Sequence, residues 1–126
     1  MPTIGMNFSR PGAQVVAQYF NFIHLGHEGY SQRMACLEET ASYIADSIAA
    51  MPPLKLLSHP RGQLPVFAVT LDDSLDTWTV FQLSERLRAR GWQVPAYTMP
   101  AACEELAVLR LVIRAGFTRD MANLLL

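Results

Sequence analysis

Ala107-Val-Leu-Arg-Leu-Val-Ile-Arg114 is the stretch on which the fold turns. In a strand, where successive side chains point to opposite faces, Ala107, Leu109, Leu111 and Ile113 share one side and Val108, Arg110, Val112 and Arg114 the other. The first side is wholly apolar and needs a core beneath it. The second sets Arg110 mid-strand between valines. Working outward, the same short Val- and Leu-rich runs between turn residues recur at Leu54–Ser58, Pro65–Leu71 and Gln93–Thr98, giving four expected strands. Between the second and third, Asp76 is an expected N-cap. Val80, Leu83 and Leu87 then follow at helical spacing, and Gly91 is an expected left-handed C-cap, which predicts a helix of about 13 residues joining two strand pairs. After the last strand, Thr118 can cap a final helix, with Asp120 near its positive end.

The first half reads differently. Pro11 suits a first helical position, and Val15, Val16, Tyr19, Phe20 and Ile23 continue at helical spacing, so a helix over about 11–24 is predicted. Tyr30, Met34, Leu37, Ala41, Ile44, Ile48 and Met51 alternate spacings of four and three, which describes a second helix of about 22 residues with one narrow apolar seam, ended by Pro52-Pro53. A seam that long needs a surface to lie on, either a sheet of this chain or another subunit. The fold class is therefore α+β. Leu124-Leu125-Leu126 halts a helix after roughly two turns, and Met1–Asn7 reads as a strand or loop with no sheet of its own. Both ends read as cut, so a piece of a longer polypeptide is expected, with a completed small protein as the alternative.

Composition narrows the functional classes. Of 126 residues, 51% are apolar and 17% charged, with ten basic residues against eleven acidic ones. That excludes disorder and leaves no surplus positive charge for nucleic acid. No apolar run is long enough to span a bilayer and no secretory leader opens the chain, so a soluble, cytoplasmic protein without membrane partners is expected. Cys36 and Cys103 are too few for a disulfide framework, and buried thiols in a reducing compartment are expected.

Few residues have the setting that chemistry needs. Arg110 lies mid-strand between valines, where a guanidinium is costly unless an anion pairs with it, and its planar fork suits a carboxylate. Pairing with an internal Asp or Glu, or exposure on a half-solvated sheet, stays open beside a ligand role. Asn7-Phe-Ser-Arg-Pro11 joins a hydroxyl and a guanidinium to a helix start that favours anions, or it is a simple capping turn. His24, His27 and Glu28 are interrupted by Gly26 and lack a second cluster, so no metal site is expected. Cys103 precedes Glu104 and Glu105, whose charges disfavour a thiolate nucleophile. Asp72-Asp73 reads as solvated loop charge. Lys55 stands alone among nine arginines as the sole lysine, at a strand end with nothing to desolvate it. Gly-rich phosphate loops, Gly-x-Ser-x-Gly and Cys-x-x-Cys are absent.

Three stretches are familiar together. Asn7-Phe-Ser-Arg-Pro11, Leu25-Gly-His-Glu-Gly-Tyr30 and Leu83-Ser-Glu-Arg-Leu-Arg-Ala-Arg-Gly-Trp-Gln-Val-Pro-Ala-Tyr-Thr-Met-Pro100 resemble the C-terminal part of the glutamate decarboxylases, in order and across the whole chain. The resemblance implies long N-terminal helices followed by a small antiparallel sheet with helices on one face, like the C-terminal small domain of fold type I pyridoxal-phosphate enzymes. It implies that residues 1–25 end a large cofactor domain, 26–51 form a connecting helix and 52–126 a small C-terminal domain. The reaction implied is conversion of L-glutamate to 4-aminobutanoate and CO2, with pyridoxal phosphate as electron sink, in a homo-oligomer. On this resemblance Arg110 matches the residue that holds the substrate α-carboxylate, and Ser9 the one that reaches the cofactor phosphate of a neighbouring subunit. The family's Schiff-base lysine motif, the aspartate that pairs the ring nitrogen and the residue that stacks on the ring have no counterpart here. The chain alone is thus expected to be inactive and not to bind the cofactor. A free-standing, non-catalytic module in which Arg110 and Ser9 hold a small carboxylate or phosphate is the alternative.

Overall fold

The computed structural model describes residue 9 and residues 11–72, 74–75 and 77–126. Its elements are α1 (Ala13–Ala49), β1 (Leu54–Leu56), β2 (Val66–Leu71), α2 (Val80–Ala89), β3 (Ala96–Thr98), β4 (Ala107–Val112) and α3 (Arg119–Leu125). The chain divides into two compact units, residues 1–32 and 33–126.

The two helices expected before Pro52 form one continuous run broken at Gly26, whose φ of 57° and ψ of −172° lie where essentially only glycine goes. Pro11 falls two residues short of the helix start, and the Gly12 carbonyl accepts from Val15 and Val16 instead. The expected strand or loop at Met1–Asn7 lies outside the described residues. Within the first unit, Val15, Val16, Tyr19, Phe20, Phe22 and Ile23 are 53–70% exposed and fall on one arc of the helix, with Gln14, Gln18 and Asn21 opposite.

In the second unit the four strands make an antiparallel sheet in the order β1-β2-β4-β3. Its covered face carries Leu54, Leu56, Phe67, Val69, Leu71, Ala96, Ala107, Leu109, Leu111 and Ile113, and the helices pack there. Ala41, Ile44, Ala45 and Ile48 of α1, Val80 of α2 and Ala122 of α3 join Phe67, Val69, Leu109, Leu111 and Ile113 in one core. Only the later part of the predicted seam is used this way: Ala41, Ile44 and Ile48 are buried and Leu37 half-buried, while Tyr30, Met34 and Met51 stay 36–38% exposed.

Helix termini refine the expected boundaries. The N-cap of α2 is Thr79, not Asp76, which itself lies outside the described residues. The Gln82 amide donates to Thr79 Oγ1 at 3.3 Å and the Thr79 amide to Gln82 Oε1 at 2.9 Å, a reciprocal capping box. The helix is accordingly shorter, ten residues. Gly91, with φ of 88°, ends it as predicted: its amide donates to Arg88 and the Trp92 amide to Leu87, the paired bonds of a Schellman turn. Thr118 caps α3, accepting from the Met121 amide at 3.3 Å.

Both cysteines are exposed, contrary to the expected buried thiols. Cys36 lies off the buried seam of α1 and Cys103 in the β3–β4 connection, so position overrides the usual preference of this side chain for interiors. No described helix is long and apolar enough to cross a membrane.

Candidate functional site

Alternation along β4 and its place between β2 and β3 put Arg110 in the middle of the sheet face opposite the one on which the second unit's helices pack. Its row and the neighbouring ones hold Lys55 on β1, Val66, Ala68 and Thr70 on β2, Val108 and Val112 on β4, and Tyr97 on β3. Ala68 stands directly opposite Arg110 and leaves room above it, while the Arg110 amide donates to the Pro95 carbonyl at 3.1 Å. The side chain is exposed, and its guanidinium carbon lies 5.6 Å from the centre of the Tyr97 ring. Among the described residues no carboxylate pairs with it and no group accepts a hydrogen bond from its fork. Of the openings left by its sequence, the internal ion pair is therefore not made within the described residues, and the half-solvated face is where the residue sits.

The rest of this face is already engaged. Thr70 Oγ1 donates to the Ala107 carbonyl at 2.8 Å. Lys55 Nζ lies 3.5 Å from Asp72 Oδ2, with about half its side chain exposed at 51%. Asp72 in turn accepts from the Ser74 amide at 3.0 Å and the Ser74 hydroxyl at 2.7 Å. The Ser74 amide, then its hydroxyl and then the Lys55 charge hold the Asp72 carboxyl below the ordinary carboxylate range. Arg114 is exposed just beyond β4.

Ser9 belongs to the other unit. It is exposed, with a φ of 48° in the left-handed region, and its neighbours Asn7, Phe8 and Arg10 lie outside the described residues. His24 stacks on Phe20, ring centres 5.4 Å apart, and Glu28 accepts from Gln32, so both are occupied by the helix they sit on.

Sequence reading passed over Tyr97. Its nearness to Arg110 depends on β3 pairing with β4 in this register, which no local sequence pattern announces.

No family model matches the chain. Over 126 residues, 99% of this chain, it is 42% identical to the glutamate decarboxylase of Aliivibrio fischeri, of which it covers 27%. The solved structure of Lactobacillus brevis glutamate decarboxylase superposes with a TM-score of 0.89 at 35% identity, over 99% of this chain and 28% of that one. The chain is a homologue of the C-terminal part of glutamate decarboxylases. It spans about a quarter of the length of these relatives. The sphingosine-1-phosphate lyase of Burkholderia pseudomallei shares the fold, with a TM-score of 0.73 at 24% identity. The expected α+β class, with helices on one face of a small antiparallel sheet, is the observed one.

The residues present do not make a pyridoxal-phosphate site by themselves. A lysine that condenses with a carbonyl must reach its neutral amine, which desolvation or a cationic neighbour favours. Lys55 instead keeps about half its side chain exposed and lies 3.5 Å from the Asp72 carboxylate, with no cationic neighbour among the described residues at that distance. No chemical step of this chain is therefore drawn through the cofactor.

Proposed function

We propose that the chain is the C-terminal portion of a pyridoxal-phosphate-dependent glutamate decarboxylase, cytoplasmic and homo-oligomeric, and that alone it is inactive and does not hold the cofactor. In this reading residues 1–25 end the large cofactor domain, 26–51 connect it and 52–126 are the small domain. Arg110 takes the α-carboxylate of L-glutamate, and Ser9 offers its hydroxyl to the cofactor phosphate of a neighbouring subunit.

The observation that carries the reading is that, among the described residues, no group pairs with the fork of Arg110 on the sheet face opposite the second unit's helices. An arginine kept for structure would be expected to spend its donors inside the unit, whereas this one keeps them for an incoming carboxylate, which it can bind bidentately. The exposed arc at Val15–Ile23 supports the same reading. Six large apolar side chains without a formal charge from Gly12 to Leu25 fit a protein surface better than water. The chain's own contribution to catalysis is then positional: it orients the substrate carboxylate and helps fix the cofactor, while the groups that move protons and electrons come from the remainder.

The test is CO2 release from carboxyl-labelled L-glutamate by the chain supplied with pyridoxal phosphate. The expected result is no release above the protein-free control. Release by the chain alone would overturn the missing-lysine part of this reading.

A further inference from the structure

We propose that Tyr97 is a positioning residue for Arg110: its ring props the guanidinium over β3 and β4, so that the fork is presented to a carboxylate in one orientation. The proposal rests on the reading of Arg110 as the carboxylate-holding residue and adds the group that aims it.

The register makes the contact specific. Tyr97 pairs with Val108 across β3 and β4, and Arg110 is two residues further along the same face, a diagonal neighbour within reach of an aromatic and a long side chain. The guanidinium carbon stands 5.6 Å from the ring centre, inside the range of a cation–π contact. Directly across β2, Ala68 offers nothing to lean on. Val108, opposite the ring on β4, is fully buried, while Tyr97 is 37% exposed and stays at the surface beside the exposed Arg110.

The nature of the prop matters. A carboxylate neighbour would hold the arginine by occupying the donors that a ligand needs, and would set a like charge against the incoming anion. An aromatic face attracts the cation through its quadrupole and accepts none of the in-plane N–H bonds of the fork. An arginine free on a sheet surface loses much rotamer freedom when a ligand fixes it; one already leaning on a ring loses less, and binds correspondingly tighter. For an exposed contact this is worth about a 2- to 5-fold change in affinity.

The experiment uses the full chain, labelled with nitrogen-15, and follows the Arg110 Nε–Hε signal while L-glutamate is added at constant ionic strength. Arg110→Gln identifies the signal by its loss. Tyr97→Phe keeps the ring, Tyr97→Trp enlarges it and Tyr97→Leu removes it. Tyr97 is partly exposed, and amide spectra of each variant establish that the sheet is intact.

We expect millimolar binding in the parent chain and Tyr97→Phe, tighter binding in Tyr97→Trp, and about 2- to 5-fold weaker binding in Tyr97→Leu. The Hε resonance should move to the ring-free position only in Tyr97→Leu. An unmoved resonance and unchanged affinity in Tyr97→Leu would overturn the prop while leaving the arginine reading intact. Glutamate shifts that persist in Arg110→Gln, or no response of Arg110 in any chain, would instead overturn the arginine reading, and the prop with it.

Discussion

On the open face of the sheet, two basic side chains have opposite surroundings. Arg110 leans on an aromatic ring and keeps its donors, whereas Lys55 is tied to Asp72 at the sheet edge. That difference can be read from pH. The Ser74 amide and hydroxyl and the Lys55 charge depress the Asp72 carboxyl, so the folded state binds its proton less readily than the unfolded one. The resulting stabilisation is fully present above the unfolded carboxylate value of about 4 and is lost as pH falls through the lower folded value. In urea titrations, the Asp72→Asn chain should therefore lose less stability than the parent between about pH 6 and about pH 3. Identical losses would mean that solvent screens this exposed group completely. Arg110 was legible in sequence because a strand's period of two fixes which residues share its face. Tyr97 was not, because its contact depends on which strand lies beside β4 and in which register, and neither is written in local periodicity.

At the level of elements, α2 shows what governs a helix start. Asp76 is a strong capping residue by type, yet the helix begins at Thr79, whose extended backbone, with φ of −118° and ψ of 162°, lets its oxygen meet the Gln82 amide. The Thr-x-x-Gln spacing of a capping box stands in the sequence at Thr79–Gln82 and was the better signal, because it satisfies two amides reciprocally where a lone Asp satisfies one. Thr79→Ala should cost about 1 kcal/mol in urea denaturation, with the Gln82 amide exchanging faster. A loss of less than a few tenths would show that the box contributes little.

The loop after β1 is held to α1 in a comparable way. The Arg61 amide donates to His59 Nδ1 at 3.1 Å, which leaves the proton on Nε2, 3.0 Å from Asp46 Oδ1. The Gly62 amide donates to Glu38 at 2.7 Å. None of these pairings has a local sequence signature, since each joins residues 13 or more positions apart or depends on the turn between them.

For the molecule as a whole, the apolar seam of α1 and the alternation of β2 and β4 were enough to give an α+β class, because both report which side of an element faces a core. Strand order was not legible, since β4 inserts between β2 and β3 through long-range pairing. The exposure of Tyr30 and Met34 was not legible either, because an apolar seam marks the side of a helix suited to burial and not how far along it burial extends. The match covers about a quarter of the Aliivibrio fischeri relative, at 27%, and the roles proposed for Arg110 and Ser9 are readings of single residues in separate units.

On the proposed reading, activity is expected only when the chain is joined to the remainder of such an enzyme, and only with its arginine. The most direct measurement replaces the matching C-terminal segment of the Aliivibrio fischeri enzyme with this chain, as Arg110 or as Arg110→Gln, and records kcat/KM for CO2 release from L-glutamate, with cofactor absorbance establishing that each chimera is loaded. The account predicts an active Arg110 chimera and a fall of about 100-fold or more in the glutamine variant, the scale of losing a charged bidentate partner. A loaded Arg110→Gln chimera that works within a few-fold of its Arg110 counterpart would contradict it.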